Sequence, residues 1–221
     1  MKPPAASGKL PLLRPSGKPQ RVKVGWAQTT RFQVPIPKQE KRRLAVLHHY
    51  EILDTPPEEH FDAITTLAAQ VCEAPIALVS LVDSNRQWFK SKVGVTFCET
   101  SRDLAFCAHA IMEKGLFIVE DAASDRRFAS NPLVTSDPQI RFYAGAPLIA
   151  PNDLILGTLC VIDRVPRTLT REQVEALRAL SRLVMALLEF RREAIQLKRT
   201  LLNQQLAERS LPKKTCKHPK P

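Results

Sequence analysis

Cys107 and His109 are the side chains in this 221-residue sequence whose types and spacing best suit reactive thiol chemistry. A cysteine thiolate is a nucleophile, and a second cysteine nearby can resolve the oxidised product as a disulfide. Cys98, nine residues upstream of Cys107, is the candidate resolving residue. The alternative is that Cys107 is a small core or cavity-lining residue, because free cysteine usually behaves as a buried hydrophobe. We favour this alternative.

A second group of residues suits the binding of a small molecule. Arg141 and Tyr143 open a predicted strand, and Trp88 lies in a predicted hairpin. Aromatic rings with one guanidinium fit a small planar or anionic ligand. The alternative for Arg141 is an ion pair with an acid such as Asp121. The predicted ligand-binding set is Trp88, Phe106, Cys107, His109, Arg141 and Tyr143.

The histidines and cysteines do not predict a metal site. Five histidines are scattered along the chain, and His48 and His49, adjacent on a predicted helix, point to different sides. The five cysteines form no CxxC motif, which argues against a structural zinc site or a disulfide framework. The sequence identifies no cofactor.

Hydrophobic periodicity predicts the elements that must position these residues. In order they are a helix over 38–53, a helix over 56–73, strands over 75–82 and 86–92, a short helix over 103–113, a strand over 116–119, an irregular segment over 121–140 with room for one helical turn, strands over 142–150 and 154–162, and a long helix from 170. Hairpins of this kind predict an α+β fold with an antiparallel sheet, helices on one face and a lid on the other.

Two capping boxes are predicted at helix starts, one at Thr55 with Glu58 and one at Thr170 with Gln173. The helix from Thr170 continues past Phe190 with a further apolar series, which is longer than a domain of this size requires. We expect its distal half to project and pair with another helix, as in a short coiled coil.

Charge divides the chain into three parts. Residues 1–43 hold eleven Lys or Arg and one acid, residues 191–221 hold nine basic and two acidic residues, and residues 44–190 are net acidic. We therefore predict a basic, Pro-rich, disordered arm over 1–39, a domain over 40–190, and a helical extension with a basic tail over 191–221.

Seven ordered sequence blocks resemble one known family, the GAF domains of bacterial sensor histidine kinases and diguanylate cyclases. The resemblance covers roughly residues 44–190. The blocks are Ile52-Leu-Asp-Thr-Pro-Pro-Glu, Ile76-Ala-Leu-Val-Ser-Leu-Val-Asp, Arg86-Gln-Trp-Phe-Lys-Ser, Phe106-Cys-Ala-His-Ala-Ile, Asp125-Arg-Arg-Phe, Arg141-Phe-Tyr-Ala-Gly-Ala-Pro-Leu and Gly157-Thr-Leu-Cys-Val-Ile-Asp.

The resemblance implies a small-molecule pocket between sheet and lid, and dimerisation through the first and last helices, here 40–53 and 170–206. Cys107 is at a position similar to one cysteine of the GAF-type free methionine sulfoxide reductases, but the segment before Phe142 lacks the further cysteine of those enzymes. Phytochrome-like members attach a bilin through cysteine followed directly by histidine, whereas Ala108 intervenes here.

The sequence therefore predicts a non-catalytic GAF sensor or adaptor that dimerises, binds a small molecule and engages a partner through its basic ends. An acidic protein partner is favoured over nucleic acid for residues 1–39 and 191–221, because prolines interrupt the arm, which also carries Trp26 and Phe32. The alternatives are a thiol reductase using Cys107 with Cys98, and a basic scaffold with a vestigial pocket. Without a signal peptide or a long apolar run, a cytoplasmic location is expected.

Overall fold

The computed structural model describes residues 34–210 of the chain, with side chains as far as residue 207. In chain order the elements are α1 (Glu40–His49), α2 (Glu59–Val71), β1 (Ile76–Val82), β2 (Arg86–Val93), β3 (Glu99–Ser101), a 3-10 helix (Arg102–Leu104), α3 (Phe106–Ala110), β4 (Phe117–Val119), α4 (Pro132–Thr135), β5 (Phe142–Ile149), β6 (Ile155–Asp163) and α5 (Arg171–Ser210). The predicted arm lies mostly outside these residues, whereas residues 191–210 of the predicted C-terminal extension belong to α5 and only 211–221 lie outside.

The strands form one six-stranded sheet in the order β3-β2-β1-β6-β5-β4, and every neighbouring pair is antiparallel. The two hairpins β1-β2 and β5-β6 are joined through β1 and β6, so the first and last long strands lie together at the centre. Cys160 of β6 lies opposite Leu78 of β1 and Gly145 of β5. The predicted α+β class and antiparallel sheet are confirmed.

The sheet is buried on both faces, and alternate residues of each strand belong to two separate cores. Ala77, Val79 and Leu81 of β1 pack with the side of the sheet that carries α1, α2 and α5. Leu78 and Val82 pack on the opposite side, beneath α3 and the segment between β4 and β5. We call that segment, residues 120–141, the lid. The predicted arrangement of helices on one face and a lid on the other is confirmed.

The capping box predicted at Thr55 and Glu58 is wrong. Helix α2 begins at Glu59, three residues later than predicted, and its N-cap residue Glu58 makes no side-chain capping hydrogen bond. The Thr55 hydroxyl donates to the carbonyl oxygen of Ile52, and the Glu58 carboxylate pairs with Lys90. An ion pair with a buried ammonium therefore replaces the local cap.

The capping box predicted at Thr170 and Gln173 is confirmed. The Gln173 backbone N–H donates to the Thr170 hydroxyl at 3.3 Å, and the Gln173 side-chain oxygen accepts from the Thr170 backbone N–H at 3.0 Å. This reciprocal pair satisfies two donors that the helix itself cannot use. The helix that follows has 40 residues and is therefore about 60 Å long.

Two short elements differ from the sequence prediction. Strand β3 was not predicted, and the helix predicted over 103–113 is divided into the 3-10 helix and the five-residue α3. The backbone N–H of Phe89 donates to the carbonyl oxygen of Cys98, which brings the chain back along β2. None of the helices in the described range 34–210 is long and apolar enough to cross a membrane.

Candidate functional site

A mostly apolar cavity lies between the sheet and the lid. About 410 Å³ of space lies between its lining atoms, a figure that includes open solvent at its mouth. Its walls come from β1, β2, the segment between β2 and β3, β3, β5, β6, the start of α3 and the lid. The lining residues are Ile76, Leu78, Gln87, Phe89, Val95, Phe97, Thr100, Ala105, Phe106, Cys107, Leu133, Pro138, Ile140, Tyr143 and Ile162.

Two polar atoms on the cavity wall have no hydrogen-bond partner in the described part of the chain. They are the side-chain oxygen of Gln87 and the hydroxyl oxygen of Thr100, and both atoms are buried. Leaving a buried polar group unpaired costs on the order of 1–3 kcal/mol. Native proteins rarely keep such groups unpaired, so these two atoms are candidate hydrogen-bonding points for a bound molecule.

Strand β2 places Gln87 and Phe89 on the cavity side, and Trp88 between them on the other side. Trp88 packs in the core between the sheet and the helices. The structure therefore does not bring Trp88 to the cavity, contrary to the predicted ligand-binding set. Because successive side chains of a strand point to opposite faces, Gln87 takes the place that the sequence prediction assigned to its neighbour.

Three aromatic rings connect the cavity to the lid. Phe106 stacks on Phe128 of the lid with ring centroids 4.0 Å apart and planes 9° from parallel. The Phe106 ring also stacks on the Tyr143 ring of β5, with centroids 5.3 Å apart. Phe106 and Tyr143 line the cavity as predicted from sequence, while Phe128 lies behind Phe106 and is wholly buried. The stack fixes the position of the lid over the sheet.

Arg141 holds the lid and does not line the cavity. Its guanidinium donates to the carbonyl oxygens of Val134 and Ile140, at 2.9 and 3.1 Å. Within residues 34–210 these carbonyl oxygens, and not Asp121, are its hydrogen-bond partners. Asn131 also holds the lid. Its side-chain oxygen accepts from the backbone N–H of Leu133, and its side-chain NH₂ group donates to the carbonyl oxygen of Leu104.

His109 is also outside the cavity lining. Its ring lies edge-on to Phe128 with centroids 4.8 Å apart. Burial lowers the pKa of His109, and the nearby Arg127 guanidinium lowers it further. A neutral imidazole packed on the back of the aromatic stack is a packing residue. It is not positioned to act on a molecule in the cavity.

Cys107 lines the cavity and is held by a group of polar neighbours. The hydroxyls of Tyr143 and Thr158 each donate to its sulfur at 3.1 Å. Gly145 makes this arrangement possible, because a Cβ there would lie 2.3 Å from the Tyr143 hydroxyl oxygen. The neighbouring sulfur is that of Cys160, at 4.0 Å.

The predicted pairing of Cys107 with Cys98 is not what the structure shows. Cys98 is outside the cavity lining, and its sulfur accepts from the ammonium of Lys92 at 3.3 Å. Cys160, which the sequence prediction did not select, is the cysteine that contacts Cys107. The described residues contain no group of three or more His, Cys, Asp or Glu side chains arranged to hold a metal ion.

Comparison with known proteins gives the family. A family model described as GAF domain matches residues 56–188, more than half of the chain. The chain belongs to the GAF domain family. The matched residues run from the segment before α2 to the part of α5 that packs on the sheet. The GAF domain thus contains the cavity, both hairpins and the lid.

A curated relative of this GAF protein is cyclic di-GMP phosphodiesterase PA2567 of Pseudomonas aeruginosa. The two sequences are 45% identical over 153 residues, which is 69% of this chain and 26% of that enzyme. The chain therefore spans about a quarter of the length of the relative it matches.

Solved structures share the fold at low sequence identity. The free methionine-R-sulfoxide reductase from Neisseria meningitidis has a TM-score of 0.51 and 13% identity, and the match covers 74% of this chain and 99% of that one. The GAF domain from Acinetobacter phosphoenolpyruvate-protein phosphotransferase has a TM-score of 0.50 and 14% identity, and the match covers 70% and 98%. At such identities the similarity shows the fold alone.

Three residues of the candidate site were not selected from the sequence, for different reasons. The alternation along Arg86-Gln-Trp-Phe-Lys-Ser places Gln87 on the face opposite Trp88, but with both faces buried it does not indicate which face lines the cavity. Thr100 belongs to no recognisable sequence pattern, because β3 has only three residues. Cys160 lies 53 residues from Cys107, and only the packing of α3 on the sheet brings them together.

Proposed function

We propose that this chain is a non-catalytic GAF regulatory module that binds a small molecule between its sheet and lid and acts as a dimer on a partner. The cavity is the observation that carries this proposal. It is enclosed largely by apolar side chains, and it presents two unpaired polar atoms, from Gln87 and Thr100. A few placed polar groups on apolar walls are typical of small-molecule sites.

The lining indicates the chemistry of the ligand. The cavity lining contains no lysine, arginine, aspartate or glutamate, so no cation is available there to neutralise a phosphate. The ligand is an uncharged, mainly apolar molecule with polar groups that reach Gln87 and Thr100. The Gln87 amide can present either its oxygen or its NH₂ group after rotation, so it accepts or donates.

The dimer proposal rests on a mostly exposed apolar strip along α5, which we call the α5 seam and of which Leu187 is partly buried against the core. Its members alternate at spacings of four and three residues, the pattern of a coiled coil. They are Leu183, Leu187, Phe190, Ala194, Leu197 and Leu201. Phe190 is 71% exposed and Leu197 is 61% exposed. A second copy of this chain is the partner whose own seam would match them.

The partner proposal combines charge with the curated relative. The basic segments 1–39 and 191–221 suit an acidic protein surface. The phosphodiesterase relative joins a similar sequence to a much longer chain, which favours a role in regulating cyclic di-GMP turnover for the present protein. In this proposal the GAF domain supplies the sensing, and the partner supplies the catalysis.

Native mass spectrometry of the full-length protein, purified gently from its own cells, tests ligand binding. We expect a dimer with a defined excess mass that is lost on denaturation. Gln87→Leu is expected to reduce the occupied fraction severalfold, and Gln70→Leu on the exposed side of α2 serves as the matched control. Wild-type protein found only at its sequence mass would contradict the ligand proposal.

A separate assay distinguishes the reductase alternative. Purified protein is incubated with free methionine sulfoxide and a dithiol reductant, and methionine is measured. The proposal expects no turnover above the reductant alone. Turnover that disappears in Cys107→Ser and survives in Cys98→Ser would establish an enzyme and overturn the non-catalytic assignment.

A further inference from the structure

Cys107 and Cys160 form a buried thiol pair beneath the lid. Their sulfur atoms are 4.0 Å apart, and the two residues are 1% and 0% exposed. Cys107 is on the short helix α3, and Cys160 is near the middle of β6. A disulfide requires a sulfur–sulfur distance of about 2.05 Å, so a shift of roughly 2 Å would join them.

The surroundings of the pair favour a thiolate on one of its two members. Burial by itself raises the pKa of Cys107, but hydrogen bonds from Cys160, Thr158 and Tyr143 outweigh that effect and hold the pKa below its ordinary value. Burial raises the pKa of Cys160, and the adjacent Cys107 sulfur raises it further. When the pair loses a proton, the negative charge is therefore favoured on Cys107, with the Cys160 thiol as a donor to it.

The two cysteines also differ in their access to solvent. Cys107 is part of the cavity lining, whereas Cys160 is covered by Cys107 and by the sheet. A small reagent that enters the cavity meets the Cys107 sulfur first. Most buried cysteines are inert because they have neither a route to solvent nor hydrogen-bond donors for a thiolate. Cys107 has such donors, and it lines a cavity that is open to solvent.

We propose that Cys107 and Cys160 are a reversible dithiol switch, in which a hydroperoxide oxidises Cys107 and Cys160 resolves the product as a disulfide. This inference is independent of the identity of the cavity ligand. It assigns a redox role to a pair of residues on the wall of the cavity, and Cys98 has no part in it.

The reaction balances with one hydroperoxide. The Cys107 thiolate attacks one peroxide oxygen, so that an S–O bond forms, the O–O bond breaks and the leaving oxygen takes up a proton. The Cys160 sulfur then attacks the Cys107 sulfur, an S–S bond forms, the S–O bond breaks, and hydroxide leaves with the Cys160 proton as water. The two sulfurs lose two electrons, and the peroxide gains them. A dithiol reductant reverses the change by thiol–disulfide exchange.

The disulfide would alter the cavity itself. Closing the gap between the sulfurs draws α3 toward β6 and removes the Cys107 sulfur from its hydrogen bonds with Tyr143 and Thr158. Phe106 precedes Cys107 directly and stacks on the lid residue Phe128. Oxidation is therefore coupled mechanically to the position of the lid.

Peptide mapping of the full-length protein tests the proposal without any variant. Dilute protein is treated with hydrogen peroxide, its free thiols are alkylated under denaturing conditions, and it is digested with trypsin without reduction. All five cysteines fall in different tryptic peptides, with Cys107 in 103–114 and Cys160 in 142–164. We expect these two peptides to be linked, at a mass two hydrogens below their sum, and to separate after dithiothreitol. Recovery of Cys107 as alkylated thiol, as sulfinic acid, or linked to the Cys98 peptide 93–102 would overturn the proposal.

A pair of variants tests the role of Cys160. In Cys160→Ala we expect the linked peptide to be lost and Cys107 to stop at sulfenic acid, which dimedone labels. Cys72→Ala, which replaces a buried cysteine on the helix side of the sheet, is expected to form the linked peptide as the wild type does. Dimedone labelling of Cys107 at the same level in Cys160→Ala and in the wild type would show that Cys160 does not resolve it, against the proposal.

Discussion

The ammonium nitrogen of Lys90 lies 2.6 Å from a carboxylate oxygen of Glu58, and the lysine side chain is completely buried. The same nitrogen donates to the Thr55 hydroxyl at 3.0 Å and to the Pro56 carbonyl oxygen at 2.7 Å. All three donors of the ammonium are therefore used. Glu58 also accepts from Arg191 of α5 at 3.0 Å. Lys90 thus connects the middle of β2 to the segment that leads into α2.

Lys90→Met is expected to lower the free energy of unfolding by about 3 kcal/mol. The substitution preserves the length of the side chain but leaves the Thr55 hydroxyl and the Pro56 carbonyl without their donor, and breaking a buried, hydrogen-bonded ion pair is costly. Chemical denaturation at neutral pH measures the change. Lys41→Met on the exposed side of α1 is the control, with an expected change within ~0.5 kcal/mol. Equal effects of the two substitutions would contradict the assigned role of Lys90.

Glu40→Gln is expected to reduce stability at neutral pH and to make little difference in acid. Glu40 accepts from the buried Arg43 at 2.8 Å and also from Arg102. Burial raises the pKa of Glu40, but these hydrogen bonds outweigh it and lower the pKa to about 2, from an ordinary value of 4.5. Because the folded pKa is the lower one, the contribution is present above about pH 4.5 and is lost as the pH falls toward 2.

The measurement for Glu40 is the difference in unfolding free energy between wild type and Glu40→Gln at several pH values between about 7 and about 3. We expect that difference to shrink steadily with acidity. Glu175→Gln, which removes a carboxylate from an exposed ion pair with Arg178, is the control and should change stability by less than ~0.5 kcal/mol. A wild-type advantage that stays constant down to the lowest pH would be inconsistent with the ion-pair assignment.

Tyr143→Phe is expected to make Cys107 less reactive at neutral pH. The Tyr143 hydroxyl is one of the groups that lower the pKa of Cys107, so its loss raises that pKa, by about one unit for one hydrogen bond to a charged group. The rate of alkylation of Cys107, followed by peptide mass spectrometry, should have its pH midpoint shifted upward. Tyr50→Phe, on the helix side of the sheet, is the control. An unchanged midpoint in Tyr143→Phe would rule out the hydroxyl as a thiolate donor.

Leu197→Glu is expected to convert a dimer into a monomer. Leu197 lies in the α5 seam, where a charge would face the same charge on the second copy. Leu202→Glu is a matched control, because Leu202 is exposed to a similar degree, 55%, but lies outside the seam. Light scattering coupled to size-exclusion chromatography gives the mass of each variant. If Leu202→Glu dissociates the protein and Leu197→Glu does not, the interface uses a different face of α5.

The sequence by itself was enough for most of the fold. The antiparallel α+β class, the two hairpins and the lid followed from local patterns of apolar residues and turn residues. The start of α5 was predicted correctly because Thr170 and Gln173 satisfy each other within a single turn. At Thr55 and Glu58 the same local reasoning was wrong, because a lysine more than thirty positions away takes both side chains.

The functional surface depended on the tertiary structure. Both faces of the central strands are buried, so an apolar residue on a strand carries no indication of which core it joins, and Trp88 was expected in the cavity where Gln87 and Phe89 are found. The contact between Cys107 and Cys160 arises because α3 packs on the lid side of the sheet, against the face of β6 that carries Cys160. Local interactions along the chain determine which segments become helices and strands. Pairing between distant segments determines which side chains share a cavity, and that pairing is visible only in the folded molecule.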